Sequence, residues 1–507
     1  MLERNVVFKD FRDKIRVALV YPNSYTIGMA NLGFRILYDL LNSMENVYAE
    51  RFFLDFNKSL ETKSELKEFE IIAFTWQFEL DALNILDILY RNKIPLRRDR
   101  RKQVVIVGGP CAVNPYPLKK FVDFFFIGEA EENLVSFIND FSRGGDIYSL
   151  SKIEGVYSSE LDNYTRKVYV SDLDRYHPIK QIMSPEAALG ESFLLEVSRG
   201  CGRGCRFCMS GYTFRPQRER SFERLQEIAD RGIEACASRK ISLIGASASD
   251  YPRIEDLCEY LSARGVGLSI PSLRADSLTE PIVEALVKTG QRSLTLAPES
   301  NWRLRTLVNK PIEDEDILRA YKMSIDRGIK NIKLYLMVGI PTETSEDLNE
   351  LVGLIKELKK ISGRVRLSVN PLIPKPHTPF QWLGLEKLSD LREKIEVLKK
   401  ARVQMEVEDL KMAHIQATIS LGDEGLSDIL EKAYFYGKGL GAFRRAFKEE
   451  GVEFDYYIRG RDTSEILPWE KIDVGVKKSF LIREFKKSFK GEVTSICREG
   501  CRVCGVC

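Results

Sequence analysis

No apolar run in this sequence reaches the roughly 18 residues that a membrane-crossing helix needs. The first residues, MLERNVVFKDFRDK, lack the apolar core of a signal peptide, so a cytoplasmic chain is expected. Charge of one sign is missing as well. The 77 Lys and Arg against 74 Asp and Glu leave a net +3, which gives no field-based argument for a nucleic-acid or membrane partner. The basic runs in LRRDRRK, Arg97 to Lys102, and in FKKSFK read as solvated faces. Histidine is scarce, with only His177, His377 and His414. A lone histidine is more often structural than catalytic, and His377 ranks first only because it follows a strand end.

What is present is a soluble balance of 44% hydrophobic and 30% charged residues in a 507-residue chain, enough for about three domains at 100–200 residues each. Ten cysteines in a reducing compartment are not a disulfide framework. Seven fall in two clusters: Cys201, Cys205 and Cys208, then Cys497, Cys501, Cys504 and Cys507. Cys111, Cys236 and Cys258 stand alone, and Cys111 is best read as a small buried hydrophobe.

From Ile15 the pattern alternates strand and helix. IRVALV, FEIIAF, QVVIVGG and VDFFFIG are short β-branched or aromatic runs, with RFFLDF a weaker strand and NLGFRILYDLLNSM an amphipathic helix. Continuous apolar runs fit strands covered on both faces, so residues 1–145 are expected to form a doubly wound, Rossmann-like parallel sheet. Ligands of such sheets bind at the carboxyl ends of the strands, here YPNSYTIG, FTWQFE and GGPCAVNP. Residues 146–188 read as a connector with a hairpin, EGVYSS and KVYVSD flanking the turn-forming LDNYTR. Residues 189–385 hold six strand candidates, SFLLEVSRG, ISLIGAS, GLSIPSLRAD, SLTLAPES, NIKLYLMVGIP and VRLSVNPLIP, and predict a partial (β/α)6 TIM-type barrel with its site at the carboxyl strand ends. Residues 386–507 are expected to be mainly helical, LSDLREKIEVLKKARVQME being one helix, with a Cys-rich tail. No tandem repeat or low-complexity segment is present.

Just after the first barrel strand, LLEVSRGCGRGCRFCMSGYTFRP spaces its cysteines C-x3-C-x2-C. A [4Fe-4S] cluster normally takes four thiolates, so three leave one iron open. A zinc site or a purely structural cluster is the alternative.

This triad, with Phe207 before its last cysteine, resembles the signature of the radical S-adenosylmethionine (SAM) superfamily. The resemblance implies that the open iron chelates SAM and that an electron from the cluster, delivered by a reductant such as flavodoxin or ferredoxin, yields methionine and a deoxyadenosyl radical. It implies further SAM contacts. Gly245, Ala246 and Ser247 stand where the superfamily has a Gly-Gly-Glu turn, of which this sequence keeps one glycine. Glu299 and Ser300 in LAPES would meet the ribose or the methionine carboxylate, and MVGIPTET, with Gly339, Pro341, Thr342 and Glu343, would lie against the adenine. PLIPKPHTPF, around Lys375 and His377, would face the substrate.

The pairing of the N-terminal domain with such a barrel resembles the cobalamin-binding class. It is most similar to a family that joins this domain, an RGCxRGCRFCxxG barrel and a CGxC tail, from which no reaction carries over. Asn23, Thr75, Gly108 and Gly109 are then candidate cobalamin contacts. No histidine precedes His177, so the Asp-x-His-x-x-Gly lower ligand is absent, and cobalamin would bind without histidine on cobalt.

The expected function is a cobalamin-dependent methyl transfer to an unactivated carbon. One alternative is sulfur or methylthio insertion into RNA or a ribosomal component, and another is a non-catalytic iron-sulfur scaffold. The tail cysteines are expected to hold a second [4Fe-4S] cluster or a zinc ion.

Overall fold

A computed structural model describes residues 2–271, 273–497 and 500–506. The chain forms two compact units: residues 1–191 with 415–476, and residues 192–414 with 477–507. Residues 386–507 are therefore not one region. They are divided between both units.

The first unit is built on a six-stranded sheet in the order β2-β1-β3-β4-β5-β6. Its strands are β1 (Ile15–Tyr21), β2 (Val47–Phe53), β3 (Ile71–Thr75), β4 (Val104–Gly108), β5 (Phe124–Phe126) and β6 (Val156–Ser158). The first five are parallel, and β6 joins antiparallel. Buried residues run almost unbroken along β1, β2 and β3, as expected of strands covered on both faces. The core gathers Val17, Leu19, Ala73 and Ile106 from the strands with Phe34, Tyr38 and Leu41 from the helix Leu32–Ser43. Strand β2 was hard to see in the sequence because it buries Glu50 and Arg51, which pair with Arg16 at 2.8 Å and Glu61 at 2.6 Å.

The expected hairpin does not form. Strand β6 pairs with β5, while Thr165–Arg166 pairs with Ile472–Asp473. Side chains occupy the positions a second hairpin strand would need. The Asn163 Oδ1 accepts from the Ser158 N–H at 2.7 Å, and its Nδ2 and the Thr165 hydroxyl both donate to the Val156 carbonyl.

In the second unit the six expected strands are present: Phe193–Glu196, Lys240–Ile244, Gly267–Ser269, Ser293–Glu299, Asn331–Val338 and Val365–Pro371. A seventh, Gln404–Val407, adds parallel to the sixth. The first three form one sheet and the last four another, with a parallel bridge between Leu273 and Leu296. The result is an open arc of seven parallel strands. The helix expected over LSDLREKIEVLKKARVQME ends at Leu398, and after the left-handed Arg402 (φ 52°) the chain turns into the seventh strand. Its short charged sequence, QMEV, hid it: this is an edge strand with only one position even half-buried.

Candidate functional site

The first barrel strand ends at Glu196, and after Val197 the residues Ser198–Arg199 pair antiparallel with Arg218–Glu219. That short ladder closes a loop whose middle carries Cys201, Cys205 and Cys208. Glu196 sits at its base, accepting from Arg199 at 3.0 Å and Arg220 at 2.7 Å. Burial pushes its carboxyl up, but the two guanidinium groups outweigh that and hold it below the ordinary range. Gly200 enters the loop at φ 82°, where a Cβ would stand 2.3 Å from the Phe214 carbonyl, so only glycine fits.

The loop is tied to the carboxyl ends of the neighbouring strands. Arg203 makes a two-pronged contact with Asp250, beyond the second strand, at 2.7 and 2.9 Å, and reaches Asp276, beyond the third, at 3.5 Å. Asn309, after the fourth strand, donates to the Gly204 carbonyl at 3.0 Å. Arg206 donates to the Leu307 carbonyl at 2.7 Å, and its own carbonyl accepts from the Phe380 N–H, beyond the sixth strand. Phe207 packs on the cluster of Leu304, Met337, Ile340 and Leu372, which spans the ends of strands four to six.

All three thiols are free and half-buried. Burial raises the Cys201 thiol and pushes that of Cys205 up to about 12, with Lys310 and Arg274 acting in the opposite direction on Cys205. Lys310 is held by Glu299 at 2.6 Å, and Arg274 by Asp276 at 2.8 Å. As the side chains stand, no three metal-ligating groups among the described residues converge on one point, so the fit to a cluster rests on the donor set. That set fits. Three thiols on one closed loop can bind a [4Fe-4S] centre as thiolates, and the two cations beside them complement the negative charge that this creates.

The other expected SAM contacts lie at the ends of the second, fourth and fifth strands. Gly245 and Ser247 are half-buried and Ala246 is exposed. Glu299 has a left-handed backbone (φ 67°), and the hydroxyl of the fully buried Ser300 has no partner among the described residues. Gly339 (φ 81°) donates its N–H to Glu343 at 2.8 Å, and Lys394 holds that carboxylate at 3.0 Å. The Glu343 Oε1 is likewise buried with no partner among the described residues, and Pro341 is half-buried. Orphaned polar atoms at adjacent strand ends fit a ligand with donors and acceptors of its own. His377 is buried with φ 58°, its N–H donated to Gln381, and Lys375 is half-buried. Sequence reasoning missed the supports Arg203, Asp250, Arg274, Asn309 and Lys310. Each is a charged or polar residue in a loop or turn that follows a barrel strand, a signal too common to single out.

In the first unit the crevice at the carboxyl ends of β1 and β3 is the switch point of the sheet. Asn23 and Thr75 are engaged internally, Asn23 donating to Asp81 at 2.9 Å and Thr75 to the Val20 carbonyl at 3.4 Å. Gly108 closes β4, and at Gly109 (φ 107°) a Cβ would lie 2.7 Å from the Trp76 carbonyl. Cys111 is buried in the loop that follows. Two buried acceptors face no donor among the described residues, the Oδ1 of Asn114 after β4 and the Oε1 of Gln416, whose Nε2 donates to Glu79 after β3. Asn114 also caps the helix Leu410–Leu421 through the Ser420 and Gly422 carbonyls.

In the tail, Cys504 is buried and Cys497 and Cys501 are half-buried, whereas Cys507 lies outside the described residues. The tail runs beside the cysteine loop: the Cys497 N–H donates to the Gly202 carbonyl at 2.8 Å, and the Thr494 N–H donates to the Asn309 side chain at 2.8 Å.

Residues 195–355 match the Radical SAM superfamily, and residues 33–158 match Radical SAM proteins, N-terminal. The "Uncharacterized protein MJ0966" of Methanocaldococcus jannaschii is 35% identical over 456 residues, covering 88% of this chain and 96% of that protein. The threonylcarbamoyladenosine tRNA methylthiotransferase MtaB of Aquifex aeolicus is 22% identical over 376 residues, 68% of this chain and 82% of that one. Among solved structures, the radical SAM methyltransferase TsrM of Kitasatospora setae, with cobalamin and a [4Fe-4S] cluster bound, superposes with a TM-score of 0.54 at 15% identity over 73% of this chain and 74% of that one. The cobalamin-dependent radical SAM enzyme OxsB with aqua-cobalamin bound gives 0.54 at 15% identity over 84% and 67%. The α/β architecture, the cysteine loop at the barrel's carboxyl strand ends and these matches together establish that the chain belongs to the radical SAM superfamily and is a radical SAM enzyme.

Proposed function

We propose that this enzyme transfers a methyl group, carried by cobalamin, to an unactivated carbon of its substrate. The observation that carries the proposal is the pairing of a 2-1-3-4-5 parallel sheet with the radical SAM barrel in one chain, an architecture shared with two proteins that bind cobalamin. When bound, the cluster and SAM supply the means to break a strong C–H bond, and cobalamin supplies a methyl carrier. The family implies the first two of these cofactors, with the electron coming from a reductant such as flavodoxin or ferredoxin.

The chain's own residues position these groups. Cys201, Cys205 and Cys208 would hold the cluster, and Glu299, Ser300 and the turn at Gly339 would orient SAM on the open iron. In the first unit, Asn114 after β4 and Gln416, which donates to Glu79 after β3, offer buried carbonyl acceptors. These suit the primary amides that fringe a corrin ring, each of which brings N–H donors. With no histidine before His177, cobalt would carry no histidine ligand.

The test is absorbance and metal analysis of anaerobically purified protein, counting cobalt, iron and sulfide per chain, followed by cobalamin reconstitution and gel filtration. Retained corrinoid that accepts methyl from SAM is expected, with weaker retention in Gln416→Leu. Protein that neither retains corrinoid nor methylates it would overturn methyl transfer while leaving SAM cleavage intact. That outcome would favour the second reading, sulfur or methylthio insertion into RNA or a ribosomal component. Relatives named as methylthiotransferases of tRNA and of ribosomal protein uS12 support it.

A further inference from the structure

Two basic stretches distant in sequence, 356–360 and 399–402, meet in the second unit. The first lies at the end of the helix Ser345–Ile361, and the second is the turn that leads into the seventh strand. Between them is a groove of about 670 Å³ lined by Lys356, Lys359, Lys360, Lys400, Ala401 and Arg402. All five cations are exposed, and among the described residues no carboxylate lines the groove. A net charge of only +3 gives no hint of such a surface.

Basic residues elsewhere are neutralised. In the run 97–102, Arg97 pairs with Asp428 at 2.7 Å, Arg98 with Glu160 at 3.0 Å and Arg101 with Asp123 at 2.8 Å. In the groove, Lys359 alone has a structural task, its Nζ donating to the Arg402 carbonyl at 2.7 Å and so holding the left-handed turn (φ 52°) against the helix. Lys399, beside the groove, is paired with Glu396. For Lys356, Lys360, Lys400 and Arg402, no carboxylate among the described residues comes within ion-pair distance. The helix dipole favours cations in the last turn, which covers Lys359 and Lys360 but not Lys356, Lys400 or Arg402. Lys356 and Lys360 stand one turn apart, where like charges repel. An anion bridging the two stretches would relieve that repulsion.

The lining selects among anions. Pockets for small organic ligands have mostly apolar or aromatic walls, and here the only apolar lining residue among those described is the buried Ala401. An acidic protein partner would anchor through buried aromatic or aliphatic side chains, for which the groove has no counterpart. A membrane surface is flat, whereas these cations line a concavity. A phosphodiester backbone needs spaced cations and no apolar wall.

We infer that this groove seats the phosphate backbone of RNA on Lys356, Lys360, Lys400 and Arg402, without reading its bases. The groove lies at the amino ends of strands six and seven, and the cysteine loop follows the carboxyl end of strand one. The strands are parallel, so the two places are at opposite ends of the arc. Strand five, with eight residues, sets their separation at about 26 Å. A mononucleotide cannot reach from one to the other, but a folded RNA can, which makes the groove a docking surface outside the active site. The choice of RNA as the polyanion rests on the RNA-substrate reading given above.

Fluorescence anisotropy of the full-length protein with a labelled, unmodified tRNA transcript, over a range of salt concentrations, tests the inference. DNA of the same sequence and polyglutamate serve as competitors. The triple variant Lys356→Gln/Lys360→Gln/Lys400→Gln should bind the RNA about tenfold more weakly or worse, and its salt slope should fall by about 2–3. The control Lys102→Gln/Lys152→Gln/Lys180→Gln removes equal charge from exposed sites in the first unit and should bind as the wild type does. Both variants should cleave SAM at the wild-type rate, which shows that each has folded. RNA binding weakened equally in both triples, or in neither, would overturn the groove and leave the RNA-substrate reading standing. A wild type that binds no RNA would overturn both. Tighter binding of the DNA or of polyglutamate than of the RNA would overturn the assignment of the occupant.

Discussion

The guanidinium of Arg206 lies 3.2 Å from the carboxylate of Glu484, and neither side chain reaches solvent by more than a trace. Arg206 sits between Cys205 and Phe207 in the sequence, and Glu484 lies on the helix Lys478–Ser488. The pair fastens the cysteine loop to a helix 278 residues away. The same arginine donates to the Glu492 carbonyl at 2.6 Å, and Glu484 accepts from the Thr494 hydroxyl at 2.8 Å.

Removing one partner of a buried pair leaves an uncompensated charge. Glu484→Ala should lower unfolding free energy by about 3–5 kcal/mol, read from denaturant unfolding, and should weaken iron retention. Glu484→Gln keeps hydrogen-bond acceptors for Arg206 and Thr494, so its loss should be smaller. An unchanged midpoint in Glu484→Ala would refute this role.

Gly200→Ala should disable the cysteine loop with little effect on the barrel. A methyl group there would meet the Phe214 carbonyl at 2.3 Å in a left-handed backbone. Circular dichroism close to wild type, with iron incorporation reduced several-fold, is the expected result. Normal iron loading would show that the loop accommodates the side chain.

Each of Cys201→Ala, Cys205→Ala and Cys208→Ala should abolish reductive cleavage of SAM. Chromatography of methionine and deoxyadenosine measures this. Wild-type product from any one variant would remove that cysteine from the cluster.

Asp81 predicts a pH dependence. Burial raises its carboxyl from 3.8 to about 6, against the donated hydrogen bonds of Asn23 and Asn84. In the unfolded chain the group ionises near its ordinary value, so between about pH 4 and 6 the native state holds a proton that the unfolded state has lost. Stability from this group therefore falls as pH rises through that window, by about 2–3 kcal/mol in all. Asp81→Asn removes the penalty and keeps an acceptor for both asparagines. Unfolding curves should show the variant more stable than wild type at pH 8 and equal to it near pH 4; a pH-independent difference would contradict the assignment.

The alternation of strands and helices was legible because buried parallel strands are written as continuous apolar runs, and β1, β3 and all six expected barrel strands were found that way. Strand β2 was only partly visible because Arg51 and Glu50 interrupt its run, their charges neutralised by residues distant in sequence. QMEV failed for the opposite reason, since an edge strand needs little apolar surface. The triad was legible from spacing alone. Its supports were not, because Arg203 and Asp250, or Lys310 and Glu299, meet only once the strands have brought their ends together.

The path of the chain through the two units bears on how the protein is made. Residues 415–476 complete the first unit and residues 477–507 the second, so neither is finished when its main sheet has been synthesised. The lock that Glu484 places on Arg206 of the cysteine loop cannot form until residue 484 has left the ribosome. A nascent chain stalled before that helix would therefore present its cysteine loop without that buried ion pair.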